Sequence, residues 1–215
     1  MPLRNLMSLA AVVGLALSPV RAEDPSKAVA GLQAWLDGTR TLEARFRQSL
    51  VSEALGTSAI ESGRMYLERP GRIRWDYLVP EKKVALLIGD RTELFLEDDR
   101  QLTRGRLSAD GALFPRLLAG RDRVEALFTA SFAGRSKDSN AYWLTLAPRE
   151  KGGSLTEVKL SLNPKDWGIE GAEVLDEMGN RTSYVLTGVK RNGRLPDGVF
   201  AFEPPPGTEV VDESR

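Results

Sequence analysis

Alternation of apolar and polar residues is the feature that most limits the fold of this chain. The first such run places five residues on one face: Leu42, Ala44, Phe46, Gln48 and Leu50. Similar runs recur as far as residue 189, separated by turn-forming pairs such as Gly89-Asp90 and Asn163-Pro164. A period of two predicts strands with one buried face. About ten or eleven strands at this spacing predict a barrel or a strongly curved sheet, with a last short strand at Phe200 and Phe202.

Two segments depart from this rhythm and predict helices. Residues 24–37 carry one apolar face, have Asp24 or Ser26 as a capping residue, and end at Gly38. Residues 112–128 contain two short amphipathic stretches, the second of which starts with a capping box between Asp122 and Glu125.

The first 22 residues have the layout of a secretory signal peptide. Arg4 is followed by an apolar run from Leu6 to Leu17 and by a small residue, Ala22, at the predicted cleavage site. The run is too short to cross a bilayer, which needs roughly 20 residues. We therefore expect residues 1–22 to be removed and residues 23–215 to form one exported domain.

The absence of two residue types excludes several kinds of site. The chain has no cysteine and no histidine, so thiolate nucleophiles, disulfides, histidine triads and the usual zinc sites are not available. Without cysteine there is also no acceptor for a lipid anchor. The carboxylates form no recognisable catalytic pattern, so we expect neither an enzyme nor a cofactor or metal. The net charge is zero and the charges are interspersed, which argues against a nucleic-acid partner.

The apolar side of the predicted sheet has two possible uses. Helices packed on a curved sheet can leave a gap that side chains fill as an ordinary core, which is the default for proteins. The same gap can instead hold an apolar ligand, as it does in many barrels. Composition alone leaves both uses open.

Four segments in order resemble the outer-membrane lipoprotein carrier family of the LolA type. These segments are TLEARFRQ (41–48), GRMYLERPGRIRW (63–75), ALFPRLLAG (112–120) and FAFEPPPGTEVVDE (200–213). The resemblance implies a mostly β fold: an unclosed antiparallel half-barrel of about eleven strands, with short α-helices forming a lid over its concave face.

The resemblance also implies a function and its partners. Such a chain would be a periplasmic, monomeric shuttle that takes acylated lipoproteins from an inner-membrane ABC transporter and passes them to a lipid-anchored receptor at the outer membrane. The missing cysteine favours the soluble shuttle over the anchored receptor. Departures such as GDRTELFLEDD (89–99) leave open a divergent member with another cargo range. A lipid-binding sensor or specialised lipid carrier of the same fold is the alternative function. The third hypothesis, an enzyme, has no catalytic pattern in the sequence to support it.

The resemblance assigns roles to individual residues as well. Arg69 matches the arginine that holds the lid closed, and it precedes Pro70 at a corner between two predicted strands. An arginine at such a corner can donate several hydrogen bonds to the free carbonyl groups of a short helix. The predicted acyl-chain cavity is formed by Leu67, Ile73, Trp75, Leu113, Phe114, Leu117 and Leu118. Met65 and Tyr77 are left unassigned, because the sequence does not tell which sheet face is concave.

Overall fold

The computed structural model describes residues 24–107, 113–120, 122–150 and 152–213. The predicted signal peptide lies outside the described residues. The described helices are α1 (Ser26–Asp37), α2 (Leu113–Leu118) and α3 (Val124–Leu127). The strands of the first half are β1 (Thr41–Ser52), β2 (Thr57–Glu68), β3 (Arg72–Val79), β4 (Lys83–Ile88), β5 (Arg91–Leu96) and β6 (Gln101–Arg106). Those of the second half are β7 (Phe128–Arg135), β8 (Tyr142–Pro148), β9 (Leu155–Leu162), β10 (Ile169–Asp176), β11 (Arg181–Arg191) and β12 (Glu209–Asp212).

The strands form a single unclosed sheet in the order β12-β6-β5-β4-β3-β2-β1-β11-β10-β9-β8-β7. The predicted half-barrel is therefore confirmed, with twelve strands in the described part of the chain instead of about eleven. The sheet is antiparallel except that β12 pairs with β6 in parallel. None of the described helices is long and apolar enough to cross a membrane.

The strand predicted at Phe200 and Phe202 is wrong. This segment crosses the outer face of the sheet instead of pairing at its edge, and the last strand, β12, begins only at Glu209. Arg74 on β3 donates a hydrogen bond of 2.8 Å to the carbonyl oxygen of Val199. The ring of Phe202 lies 5.2 Å from that of Phe95. The aromatic alternation seen in the sequence thus serves packing on the outer face.

The main core lies between the concave face and α1. Alternate residues of the strands point inward, and Phe46 on β1, Leu144 on β8 and Leu160 on β9 are buried there. On α1, Leu32 and Leu36 are buried against them. The helix ends at Gly38 as predicted. Pro25 occupies its N-terminal cap position, and the carboxylate of the predicted capping residue Asp24 accepts a hydrogen bond of 2.9 Å from the backbone N–H of Ser26.

The second short helix predicted within residues 112–128 is present but shorter than expected. Helix α3 covers only four residues, and Phe128 already begins β7. The predicted capping box is not formed, because Asp122 pairs with Arg116 at 3.0 Å and Arg123 occupies the N-terminal cap. Both short helices nevertheless lie on the concave side, where their apolar residues join the main core.

Candidate functional site

Strand register arranges the concave face into rows of side chains that run across the sheet. Leu67 is paired with Leu42 on β1 and with Ile73 on β3. One step further along the strands, Met65 is paired in the same way with Trp75. Each row is apolar at this end of the sheet, because every second residue of these strands is apolar. The two rows together form an apolar floor beneath the helices.

A cavity of about 260 Å³ separates this floor from the helices. The floor on β1 to β4 consists of Leu42, Met65, Leu67, Trp75, Tyr77 and Ala85. The opposite wall on β10 and β11 consists of Ile169, Gly171, Ala172, Tyr184 and Leu186. The remaining lining residues form the roof and the end of the cavity at which Arg69 lies: Trp35, Leu36, Thr39, Arg69, Phe114, Pro115 and Leu118. Apart from a few polar groups at its ends, the lining is apolar.

The cavity divides the residues predicted to form it into two groups. Leu67, Trp75, Phe114 and Leu118 line the wall. Ile73, Leu113 and Leu117 are instead packed inside the main core, outside the wall, with exposed fractions of 0%, 6% and 0%. On α2, therefore, one side of the helix packs into the core and the other roofs the cavity. Met65 and Tyr77, which the sequence left unassigned, both line the floor.

Arg69 lies at one end of the cavity, in the turn between β2 and β3. Its guanidinium donates a hydrogen bond to the carbonyl oxygen of Leu36, in the last turn of α1. A cation is favoured there because free carbonyl groups and the helix dipole make that end negative. Burial lowers the pKa of Arg69, and the nearby carboxylate of Asp37 partly offsets this effect.

The hydrogen bond described for Arg69 thus goes to α1 and not to α2, which lies in the ALFPRLLAG segment where the resemblance places the lid helix. The residues that follow α2 nevertheless lie close to Arg69. Gly120, two residues after α2, has a φ of +78°, and a Cβ there would overlap the Arg69 guanidinium. The backbone N–H of Gly71, in the same turn, donates to the carbonyl of Ala119 at 2.8 Å. One turn therefore touches the ends of both helices.

A polar contact also joins α1 to α3. Gln33 is buried, with an exposed fraction of 7%, and its amide oxygen accepts a hydrogen bond of 2.9 Å from the backbone N–H of Val124. The same side chain donates to Asp37 at 2.8 Å. Because Gln33 satisfies the first turn of α3, it holds the segment that follows α2 against α1.

At the other end of the floor the apolar rows give way to polar side chains. We refer to Gln48, Glu61, Tyr77, Lys83 and Tyr184 as the polar row. Register pairs Gln48 with both Glu61 and Tyr184, and pairs Tyr77 with Lys83. The Tyr77 hydroxyl donates to Gln48 Oε1 at 3.0 Å. Lys83 forms an ion pair with Glu61 and lies 4.8 Å from the centre of the Tyr77 ring.

The two tyrosines of the polar row stay protonated over the physiological range. Burial raises the pKa of Tyr184 to about 12, and the Glu61 carboxylate adds to this effect. Burial also raises the pKa of Tyr77 above its ordinary value, with smaller effects from Tyr184 and Glu61. Both hydroxyl groups therefore remain hydrogen-bond donors.

Sequence reasoning did not assign the polar row to the site. One signal was present: Gln48 occupies an inward position in the otherwise apolar series from Leu42 to Leu50. Glu61, Lys83 and Tyr184 had no such signal, because their alignment depends on pairing between strands far apart in sequence.

The chemistry available in this site is containment of a flexible apolar group. In the described part of the chain, no three carboxylates come close enough together to hold a metal ion. An apolar group gains roughly 0.8 kcal/mol for each methylene removed from water. The cavity is thus suited to hydrocarbon chains, with polar groups at both ends.

Comparisons with known proteins agree with this geometry. Residues 37–203 match the family described as "Outer membrane lipoprotein carrier protein LolA". The chain is 31% identical, over 213 residues and 98% of each chain, to the outer-membrane lipoprotein carrier protein of Chromobacterium violaceum. It is also 31% identical over 204 residues to the protein of that name from Pseudomonas entomophila, covering 94% of this chain and 96% of the relative.

A solved structure shares the fold. An uncharacterized conserved protein from Thermus thermophilus superimposes with a TM-score of 0.56 at 14% identity, over 88% of this chain and 99% of the other. At this identity the match concerns the fold alone.

Proposed function

The chain belongs to the outer membrane lipoprotein carrier protein LolA family, and on that premise we propose that it carries acylated lipoproteins across the periplasm. The observation that carries this proposal is the apolar cavity between the concave floor and α2. Its lining offers hydrocarbon contacts and a few polar groups at the ends. It has the character of a carrier site, and we propose no catalytic step.

The energetics fit a carrier that must both hold and release its cargo. An acyl chain of about 16 carbons gains on the order of 10 kcal/mol when it leaves water. Contacts of this kind have no strict directional requirement, so a second apolar site can compete for the chain. Release then needs no nucleotide on the carrier itself.

The size of the cavity implies that loading requires movement. A volume of about 260 Å³ is below the roughly 300–1,000 Å³ of pockets for drug-sized ligands. We infer that α2, only six residues long, moves outward when acyl chains enter. Phe114 and Leu118 would then stay in contact with the chains, while Leu113 and Leu117 would leave the core.

The route of the cargo belongs to the same proposal. We propose that residues 1–22 direct export, that an inner-membrane ABC transporter releases the lipoprotein to this carrier, and that a lipid-anchored outer-membrane receptor accepts it. The family membership supports these steps.

Release of lipoprotein from spheroplasts tests the proposal. Purified chain is added to spheroplasts, and acylated lipoprotein in the supernatant is measured. We expect release with the wild-type chain, strongly reduced release with Phe114→Asp, and wild-type release with Val185→Asp. Val185 is a matched control because it is 55% exposed and alternates with the cavity residues Tyr184 and Leu186 on β11. Absence of release by the wild-type chain would overturn the proposal.

A further inference from the structure

The polar row lies where a ligand in the cavity would place its polar end. Tyr77 and Tyr184 line the cavity, and Gln48, Glu61 and Lys83 adjoin these tyrosines through hydrogen bonding, a ring contact and strand pairing. The side chains of Glu61 and Lys83 are 12% and 20% exposed, so they are reachable from solvent at that end. Arg69 lies eight residues along the chain from Glu61, which is roughly 25 Å on an extended strand.

The hydrogen-bond donors of the polar row match uncharged carbonyl groups. Tyrosine hydroxyls, a glutamine amide and a lysine ammonium all donate hydrogen bonds. Ester and amide carbonyls only accept them, and they need such partners when they leave water. Acyl chains are attached to a lipidated peptide through linkages of these two kinds.

The charge of the polar row is balanced, which disfavours an anionic ligand. Lys83 is already paired with Glu61 in a partly buried position. A carboxylate or phosphate that approached Lys83 would lie beside the Glu61 carboxylate, and like charges at such a distance repel each other strongly where water is sparse. Arg69, the charged residue among those that line the cavity, is at the far end and bonded to the carbonyl of Leu36.

We propose that the polar row is a selectivity site that accepts the uncharged ester and amide linkages of an acylated ligand and rejects amphiphiles with an anionic end. The inference rests on the proposed function and adds to it a basis for distinguishing lipidated protein from free fatty acid and acidic phospholipid. The Glu61–Lys83 pair discriminates against negative charge, and the Tyr184 hydroxyl and the Gln48 amide N–H groups donate to the linkage, while Tyr77 orients Gln48 by donating to its Oε1.

Binding of two ligands with the same acyl chain tests this inference. The full exported chain is freed of lipid, and affinities for monopalmitoylglycerol and for palmitate are measured at pH 7.5. The fluorescence of Trp35 and Trp75, which line the cavity, reports binding. We expect the wild-type chain to prefer the neutral ligand by roughly tenfold. Glu61→Gln leaves Lys83 without its anion and should reduce this preference at least severalfold.

Two further variants serve as a control and as an independent test of the role of the Glu61–Lys83 pair. Glu97→Gln removes the partner of Lys82 in an ion pair on the exposed side, so its preference should equal that of the wild-type chain. Lys83→Gln leaves Glu61 without its cation and should raise the preference for the neutral ligand, which is the opposite sign. This variant also provides a test if Glu61→Gln does not fold.

The possible outcomes separate the two proposals. If the wild-type chain releases lipoprotein from spheroplasts but binds both ligands equally, the inference is overturned and the proposed function stands. Equal preferences in Glu61→Gln, Lys83→Gln and Glu97→Gln would overturn it as well. A chain that binds neither ligand and releases no lipoprotein would overturn both.

Discussion

The guanidinium of Arg69 donates a hydrogen bond to the backbone carbonyl of Leu36, which joins the turn between β2 and β3 to the end of α1. In the same turn, the backbone N–H of Gly71 donates a hydrogen bond to the carbonyl oxygen of Ala119, the residue after α2. This corner of the sheet therefore contacts the C-terminal ends of both helices that roof the cavity. We therefore propose that Arg69 acts as a latch, that is, that its hydrogen bond helps to hold the helices closed over the cavity.

Replacement of Arg69 by methionine should loosen the closed form. The Leu36 carbonyl loses a charged donor, and we expect the free energy of unfolding to fall by about 1–3 kcal/mol. Hydrogen exchange at residues 113–120 should become faster than in the wild-type chain. Arg72→Met is the control, because Arg72 is half-exposed and pairs with Glu68 outside the cavity. Gly120→Ala should reproduce the effect of Arg69→Met, since its Cβ would displace the guanidinium. Equal exchange in all four proteins would contradict the latch.

The two sides of α2 should respond differently to truncation. Leu117 is fully buried, so Leu117→Ala should cost about 2–5 kcal/mol in the free energy of unfolding. Phe114 is partly buried and roofs the cavity, so Phe114→Ala should mainly weaken binding of monopalmitoylglycerol. Urea denaturation and fluorescence titration measure the two effects. A Phe114→Ala chain with unchanged affinity would remove this residue from the site.

Ionisation of Tyr184 should make the fold less stable at high pH. Its pKa is about 12 in the folded chain and near 10 when unfolded. The unfolded chain therefore loses this proton first, and the stability that is complete below pH 10 falls as the pH rises toward 12. The loss is roughly 2–3 kcal/mol. Urea denaturation of the wild-type and Tyr184→Phe chains between pH 9 and 12 isolates this loss. Over that range the free energy of unfolding of the wild-type chain should fall by this amount relative to that of the Tyr184→Phe chain. A difference independent of pH would contradict the assignment.

The segment that crosses the outer face should affect stability without affecting binding. Phe202 packs against Phe95 and lies 5.9 Å from the guanidinium of Arg74. Phe202→Ala should lower the free energy of unfolding by about 1–3 kcal/mol and leave the affinity for monopalmitoylglycerol unchanged. Glu203→Ala, at an exposed neighbouring position, should change neither quantity. A large loss of affinity in Phe202→Ala would show that the two faces are coupled.

The fold was largely predictable because strand alternation is local. The exceptions have physical causes. In β6, Leu102 is the only fully buried side chain, and its neighbours Gln101, Thr103 and Arg104 are polar. The alternation of apolar and polar residues is therefore weak in this strand. The parallel pairing of β12 with β6 joins residues about 100 positions apart along the chain, and no local pattern encodes it.

The site was less predictable because it depends on packing between distant elements. The sequence identified the apolar residues of α2, but it could not tell which side of a six-residue helix faces the core. Leu113 and Leu117 were therefore grouped with Phe114 and Leu118. Ile73, which the resemblance placed in the cavity, is fully buried in the core, so a charged substitution there should unfold the chain.

Photo-crosslinking from inside the cavity tests the central claim most directly. A benzophenone amino acid is placed at Trp75 on the cavity floor or at Val185 on the outer face, and the chain is incubated with a lipoprotein in its acylated form or without its lipids. We predict a crosslink at position 75 with the acylated form alone, on a peptide whose mass includes the acyl chain, and no such crosslink at position 185. Capture of the unacylated form at position 75, or of the acyl chain at position 185, would contradict a carrier that holds lipoprotein by its acyl chains in this cavity.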